Sequence, residues 1–167
     1  MRNSNLQICD ATIHPGESVH LALPLPELFT CTAMYMPIKV VHGLNKGPCV
    51  LVFAAVNGIE LNGVEIINRL LSDEALSDIK GTLIAVPVLN IYGMANYPQR
   101  LPSAVNIDQC FPGAENGSYG ERIAHVFTQQ ILVKADFCVE LLTGNVNHNI
   151  LPQVHCYFEN KEAKKDS

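Results

Sequence analysis

Two continuous apolar runs with an amphipathic segment between them organise the middle of the chain. Cys49–Val56 and Thr82–Leu89 are runs of eight residues bounded by turn residues, which is the pattern of strands buried on both faces. Leu61–Leu71 switches to apolar residues three and four positions apart, which predicts a helix. Its apolar face consists of Leu61, Val64, Ile67 and Leu71. A strand, a helix and a strand within about 40 residues predict a βαβ unit with parallel strands.

Further segments extend this pattern on both sides. Ser118 and Glu121 have the spacing of a capping box, which predicts a helix over Ser118–Val133. The buried stripe of that helix is Ile123, Phe127 and Ile131. Asp136–Leu142 predicts a third buried strand. The remaining strand candidates are Met36–His42 and Val154–Phe158.

The ends of the chain lack such periodicity. Pro15, Pro24 and Pro26 interrupt the first segment, so we expect residues 1–35 to be irregular. The charged residues 159–167 predict a frayed polar tail. The length of 167 residues suits one domain. We therefore predict a single α/β domain over 1–167, three-layered α/β/α, with helices on both faces of a mostly parallel or mixed sheet.

Composition narrows the possible partners. The net charge is −5 and the sequence has no basic stripe, so nucleic acid is not an expected partner. No stretch reaches the roughly 18 consecutive apolar residues of a membrane span. The segment Met1–Asp10 lacks the apolar core of a signal peptide. These features predict a cytoplasmic protein without membrane association, whose six cysteines are free thiols.

Ligands in open α/β sheets bind beyond the carboxyl ends of the strands. Three segments follow the predicted buried strands directly, and each carries polar side chains. They are Asn57–Glu60, Asn90–Gly93 and Thr143–Asn145. We expect a site where these segments meet.

Five sequence blocks between Gly47 and Val154 carry a family resemblance. They are GPCVLVFAAVNGIELNGVEIINRLL, KGTLIAVPVLNIYG, NIDQCFPG, GSYGERIAHVF and ADFCVELLTGN. In these blocks, and in their order, the chain resembles the succinylglutamate desuccinylase/aspartoacylase family. The resemblance implies the front part of a zinc carboxypeptidase-like fold. It also implies a relative of zinc-dependent deacylases of N-acyl amino acids.

The metal positions that the resemblance implies are changed. The family holds zinc through a His-x-x-Glu motif and a later His, and these positions fall on Asn57, Glu60 and Leu142. Asn is an oxygen ligand better suited to hard cations than to zinc. Leu142 has no donor atom, so only Glu60 is retained and no cofactor is expected unless the site is rewired for zinc. The alternatives are structural: Glu60 as a helix cap and Asn57 as a turn residue.

Other residues could replace the lost ligands. His148 follows Leu142 in a loop, and Cys110 lies beside the implied pocket. Asp108 and Glu140 offer further carboxylates, and Glu140 occupies a family position next to the lost ligand. The alternatives are that His148 is an ordinary loop histidine, that Glu140 bonds a backbone turn, and that Cys110 is a lone thiol without further metal ligands.

The implied substrate site is changed as well. The family's Asn-Arg pair falls on Asp108 and Gln109, and Gln carries no charge to bind a carboxylate as Arg does. Arg100 matches another family Arg and could meet an anion, or it is a solvated loop residue. The family continues with a general-base Glu and a β-rich C-terminal portion, and neither is expected before Ser167.

Two functions follow from these changes. The first is a non-catalytic family member with a binding or interaction role. The second is a metal-dependent hydrolase of small acylated amino acids with rewired ligands, using Glu60 with some of Asn57, Asp108, His148 and Cys110. A sheet that stops after its fourth or fifth strand exposes an edge, so we also expect a homodimer or a partner chain there.

Overall fold

A computed structural model of the chain describes residues 1–27, 31–58, 60–96, 106–144 and 150–157. The strands are β1 (Leu6–Ile8), β2 (Ala11–Ile13), β3 (Ser18–Pro24), β4 (Tyr35–His42), β5 (Asn45–Ala54), β6 (Lys80–Val86) and β7 (Phe137–Leu141). The helices are α1 (Leu61–Leu71), α2 (Ile91–Asn96) and α3 (Tyr119–Gln130). Short 3₁₀ turns cover Glu74–Asp78, Ile107–Cys110 and Leu132–Lys134. Within the described residues, no helix is both long and apolar enough to cross a membrane.

The main sheet is mixed and has the strand order β3-β4-β6-β5-β7. β5 pairs in parallel with β6 and with β7, so Val52 lies opposite Ala85 on one side and Val139 on the other. β4 runs antiparallel to β3 and β6. The predicted β5-α1-β6 unit and the predicted α/β class are therefore confirmed.

The expected irregular segment over residues 1–35 is wrong. β1 and β2 form a small antiparallel hairpin, and β3 pairs with β4 over seven residues. Ile8 and Ile13 are both 1% exposed within the main core. Pro24 ends β3 at the edge of the sheet, where a missing N–H is tolerated, so the prolines delimit this strand rather than prevent it.

Helices pack on both faces of the sheet. On one face, Leu51 and Ile84 share a buried core with Ile123 and Phe127 of α3. On the other face, Val52, Ala54 and Ala85 pack with Ile67 of α1. β5 and β6 are thus covered on both sides, which explains why their sequences are continuous apolar runs rather than alternating ones.

The boundaries of several predicted elements shift. β5 and β6 end at Ala54 and Val86, because the last residues of both apolar runs turn away into buried loops. α3 ends at Gln130, and its expected continuation to Val133 is a 3₁₀ turn. The capping box of Ser118 and Glu121 is present. In α1, Leu61 is 52% exposed because it lies in the first turn, beyond the reach of the sheet.

Two expectations about the later strands are wrong. Asp136–Leu142 does form a strand, β7, but it lies at the edge of the sheet and is exposed rather than buried. Phe137 and Val139 are 63% and 44% exposed. Residues 154–157 form no strand and are exposed, and Phe158 lies outside the described residues.

Candidate functional site

The loops after β5 and β6 are locked together by backbone contacts. Beyond β5 the chain turns sharply at Ala55, which has a φ of 51°. The Leu89 N–H donates to the Ala54 carbonyl at 3.0 Å, and the Asn90 N–H donates to the Ala55 carbonyl at 3.0 Å. A Cβ at Gly58 would collide with the backbone of Gly93, so the two loops can touch because Gly58 has no side chain.

Asn90 clamps these loops through its side chain. It is 1% exposed, and its amide donates to the Val56 carbonyl at 3.2 Å and accepts from the Gly93 N–H at 2.8 Å. The segment Asn90–Gly93 was expected near the site, but the clamping role of Asn90 was not. The sequence signal was a polar residue at the buried end of an apolar run, three positions before a glycine.

Glu60 directly precedes α1 and is only 6% exposed. Its carboxylate accepts from the Asn57 backbone N–H at 3.4 Å, and the Asn57 side chain and the Thr143 backbone N–H lie close enough to act on its pKa. Burial raises the pKa of the Glu60 carboxyl, and these groups oppose the rise. The side chain makes no hydrogen bond to the helix end, so it does not act as a side-chain helix cap.

The three positions expected for the metal ligands meet at this point. Asn57 donates to the Glu60 carboxylate, the Thr143 N–H lies close enough to act on its pKa, and Leu142 directly precedes Thr143. Leu142 is 60% exposed and offers no donor atom. Asn57 contributes N–H donors to the carboxylate. One carboxylate with an amide already bonded to it does not fit the three-ligand zinc site of the family.

The other proposed ligands do not complete the site. Cys110 is 6% exposed, its thiol donates to the Asn106 carbonyl at 3.4 Å, and burial raises its pKa. Burial in apolar surroundings is typical of a structural cysteine rather than of a reactive or metal-binding one. In the part of the chain that the structure describes, no three His, Cys, Asp or Glu side chains are grouped to hold a metal ion. His148 and Arg100 lie outside the described residues.

Asp108 and Gln109 lie in an exposed 3₁₀ turn, and Asp108 contributes to a cavity of about 290 Å³. The cavity is lined by Phe53, Val56, Asp108, Phe111, Phe127, Leu132 and Glu140. The Phe127 ring stands edge-on to those of Phe53 and Phe111, at 5.6 and 5.9 Å between centroids. The lining is therefore an aromatic and aliphatic wall with two carboxylates.

The carboxylates influence one another. Burial raises the pKa of Glu140, and the charges of Glu60 and Asp108 raise it further. The charge of Asp108 also raises the pKa of the Glu60 carboxyl. The cavity region is thus negative, which disfavours an anionic group beside Asp108 and Glu140.

Comparison with known proteins fits this geometry. Residues 46–166 match the model of the succinylglutamate desuccinylase/aspartoacylase catalytic domain. The match covers most of the chain, so the chain belongs to this family, whose characterised members are deacylases of N-acyl amino acids.

Individual relatives are similar over part of their length. The N-alpha-acetyl-L-2,4-diaminobutyric acid deacetylase of Halomonas elongata is 29% identical over 121 residues, which are 72% of this chain and 35% of that protein. The chain thus spans about a third of this relative's length.

Solved structures of the family have the same fold. An aspartoacylase family protein of Mesorhizobium loti superimposes with a TM-score of 0.65 at 26% identity, covering 83% of this chain and 43% of that one. The product-bound ectoine utilization protein EutE (DoeB) of Ruegeria pomeroyi gives 0.66 at 27% identity, covering 82% and 42%.

Proposed function

We propose that this chain is a non-catalytic family member that binds a small acylated amino acid carrying a free ammonium group. The observation that carries the proposal is the hydrogen bonding of Glu60. Its carboxylate stands at the only position where the family's metal ligand is retained, and the Asn57 backbone N–H donates to it at 3.4 Å while the Thr143 N–H lies nearby. Such donors stabilise a carboxylate without a cation.

Metal-assisted deacylation needs groups that this site does not supply. The family's chemistry requires an open metal position where water is activated and the acyl carbonyl is polarised. Leu142 cannot hold a metal, and the Asn57 backbone N–H already donates to the carboxylate that a metal would use. Replacement of the metal by hydrogen bonds keeps the loops in place but removes the catalyst.

The lining of the cavity supports the ligand class. Its apolar wall suits methylene and acyl groups, while Asp108 and Glu140 favour a cation. The Halomonas relative is named for N-alpha-acetyl-L-2,4-diaminobutyric acid, a compound with one acetylated and one free amine. A ligand of this kind places its ammonium at the carboxylates, whereas an acylated acidic amino acid would place a carboxylate there.

The alternative is a metal-dependent hydrolase with rewired ligands. It is favoured by one observation: Asp108 and Glu140 line the same cavity, and the Glu60 carboxylate interacts electrostatically with both of them. Metal content and turnover separate the two functions.

Binding is tested by calorimetry with two acylated amino acids. We expect N-acetyl-2,4-diaminobutyrate to bind and N-acetylaspartate to bind at least about tenfold more weakly, because one charge pair becomes repulsive. Leu132→Trp fills the cavity and should abolish binding. Val133→Trp is the matched control, because Val133 is the next residue and is 63% exposed outside the cavity lining. Equal affinity for both ligands would contradict the proposed ligand class.

Catalysis is tested by metal analysis and hydrolysis of the same compounds with added zinc. We expect the natural chain to bind no stoichiometric zinc and to show no turnover. The double variant Asn57→His with Leu142→His should gain stoichiometric zinc, because it supplies three ligands with Glu60. Zinc-dependent turnover by the natural chain that is lost in Glu60→Gln would establish the hydrolase instead.

A further inference from the structure

The sequence contains three Asn-Gly pairs, which are Asn57-Gly58, Asn62-Gly63 and Asn116-Gly117. In such a pair the backbone nitrogen of the glycine can attack the side-chain carbonyl of the asparagine. Glycine favours this reaction because it has no Cβ to restrict the approach of its nitrogen. The reaction needs a backbone that can rotate in water, so the surroundings of each pair decide how readily it reacts.

The pair Asn57-Gly58 is held in place by the neighbouring loop. Gly58 is buried against the backbone of Gly93. The Asn90 amide donates to the carbonyl of Val56, the residue before this pair, at 3.2 Å. The peptide between Asn57 and Gly58 therefore has little room to rotate into the geometry of attack.

The pair Asn62-Gly63 is held in a helix. Both residues lie in the first turn of α1, and Gly63 packs against Ala54 of β5 and Leu141 of β7. A helical backbone at Asn62 turns the nitrogen of Gly63 away from the Asn62 side chain. Attack would require this turn to unwind and Gly63 to lose its packing.

The pair Asn116-Gly117 lies in an exposed turn. Asn116 is exposed and Gly117 is half-buried. The Gly117 N–H donates to the Ala114 carbonyl at 3.2 Å, which is the long end of the ordinary range. Opening of this one bond releases the nitrogen that would attack Asn116. The structure therefore restrains two of the three pairs and leaves the third free to react.

We propose that Asn116 is the site at which this chain deamidates. The Gly117 nitrogen gives up its proton to water and forms a bond to Cγ of Asn116. The bond from Cγ to Nδ2 breaks, and the side-chain nitrogen takes up a proton from water and leaves as ammonia. Water then opens the resulting succinimide ring at either carbonyl, which yields aspartate or isoaspartate. Water is the co-reactant, and the modification does not depend on the proposed ligand binding.

The turn leads directly into the start of α3. Ser118 is the N-cap of this helix, and its N–H donates to the Glu121 carboxylate at 2.7 Å. A Cβ at Gly117 would lie 2.7 Å from Oε2 of Glu121, so the turn runs beside that carboxylate. Isoaspartate lengthens the backbone by one methylene and adds a negative charge near Glu121. Both changes should loosen the capping box and lower the melting temperature.

Peptide mapping by mass spectrometry follows the reaction in the natural chain at mildly alkaline pH. We expect Asn116 to lose its amide, with isoaspartate detected by enzymatic methylation, while Asn57 and Asn62 stay intact over the same time. In urea the three pairs should react at similar rates, because unfolding removes the protection of two of them. Faster loss at Asn57 or Asn62 than at Asn116 in the folded chain would overturn the proposal. So would an unmodified Asn116 after the time in which the unfolded chain reacts.

Variants test the two residues of the pair. Gly117→Ala should slow the reaction at Asn116 at least about tenfold, because a Cβ hinders the approach of the nitrogen. Asn116→Gln should slow it as well, since the longer side chain closes a ring less readily. Asn62→Gln is the matched control in α1 and should leave the rate at Asn116 unchanged. An unchanged rate in Gly117→Ala would overturn the assignment of the attacking nitrogen.

The effect on α3 is measured on the isoaspartyl form, separated by ion exchange. Its melting temperature should fall below that of the natural chain. Asn116→Asp carries the charge without the added methylene, so it should melt between the two. Amide hydrogen exchange should rise in the first turn of α3 and stay unchanged in α1. Equal melting of the isoaspartyl form and the natural chain would overturn the link between this turn and α3.

Discussion

At the scale of single residues, buried polar side chains hold the site together. Asn90 and Glu60 are both nearly inaccessible to solvent. Asn90 bonds backbone groups of the loops after β5 and β6, and Glu60 accepts from the backbone of the loop after β5. These hydrogen bonds connect loops at the carboxyl ends of β5 and β6. The arrangement of the loops is therefore a property of the chain itself.

Asn90→Ala should lower the free energy of unfolding by about 2–3 kcal/mol, because it leaves the Val56 carbonyl and the Gly93 N–H buried without partners. Urea denaturation measures this change. Asn68→Ala on the exposed face of α1 should change it by less than about 0.5 kcal/mol. A small loss in Asn90→Ala would mean that the loops are held by other contacts.

At the scale of elements, α3 depends on its first turn. The Glu121 N–H donates to the Ser118 hydroxyl at 3.4 Å, and the Ser118 N–H donates to the Glu121 carboxylate at 2.7 Å. The second bond lowers the pKa of Glu121. The same helix carries Phe127 and Ile123 into the core, so the stability of its start affects the cavity wall.

Ser118→Ala should cost about 1 kcal/mol of the free energy of unfolding at neutral pH, as losses of N-caps do. The matched control is Ser77→Ala, whose hydroxyl bonds an exposed turn. Thermal unfolding of both variants measures the difference. A cost no greater than that of Ser77→Ala would show that packing alone fixes α3.

Glu121→Gln tests the charge of the same turn. The folded pKa is lower than the ordinary value of 4.5, so the unfolded chain binds more protons in this range. The stabilisation by the carboxylate is therefore present above pH 4.5 and is lost as the pH falls through the folded pKa. The melting temperatures of the natural chain and the variant should differ at neutral pH and converge in acid. A constant difference would exclude a role for the charge.

The sequence predicted which segments form helices and strands better than it predicted where each strand lies in the sheet. Capping chemistry and apolar spacing are local, so α1, α3 and the β5-α1-β6 unit followed from them. Phe137–Leu141 is apolar like β5, and nothing local distinguishes a central strand from an edge strand. The alternation of Val19, Leu21 and Leu23 in β3 was a correct strand signal that the nearby prolines obscured. The meeting of the loops that carry Asn57, Glu60 and Thr143 was predicted from their places after the buried strands, and the family resemblance added which positions correspond to metal ligands.

At the scale of the whole molecule, the two ends of the sheet differ. β3 alternates between exposed and more buried residues and ends in Pro24, as an edge strand facing water does. β7 is exposed along nearly its whole length and carries Phe137 at its start. The net charge of the chain is −5. The exposed apolar strand β7 lies at only one end of the described sheet.

Phe137→Lys should slow aggregation on mild heating, because a charge on an edge strand opposes pairing with other chains. The free energy of unfolding should change by less than about 0.5 kcal/mol, since Phe137 is 63% exposed. Leu151→Lys is the matched control, because Leu151 is 85% exposed and lies outside the strands. Light scattering follows aggregation, and equal rates in the two variants would contradict the role of the edge.

The difference between β3 and β7 decides where the described sheet can be extended. β3 ends in Pro24, which lacks an N–H donor for a further strand, whereas β7 presents unpaired backbone groups. A strand added to this sheet, whether it comes from the same polypeptide or from another one, should therefore pair with β7 rather than with β3.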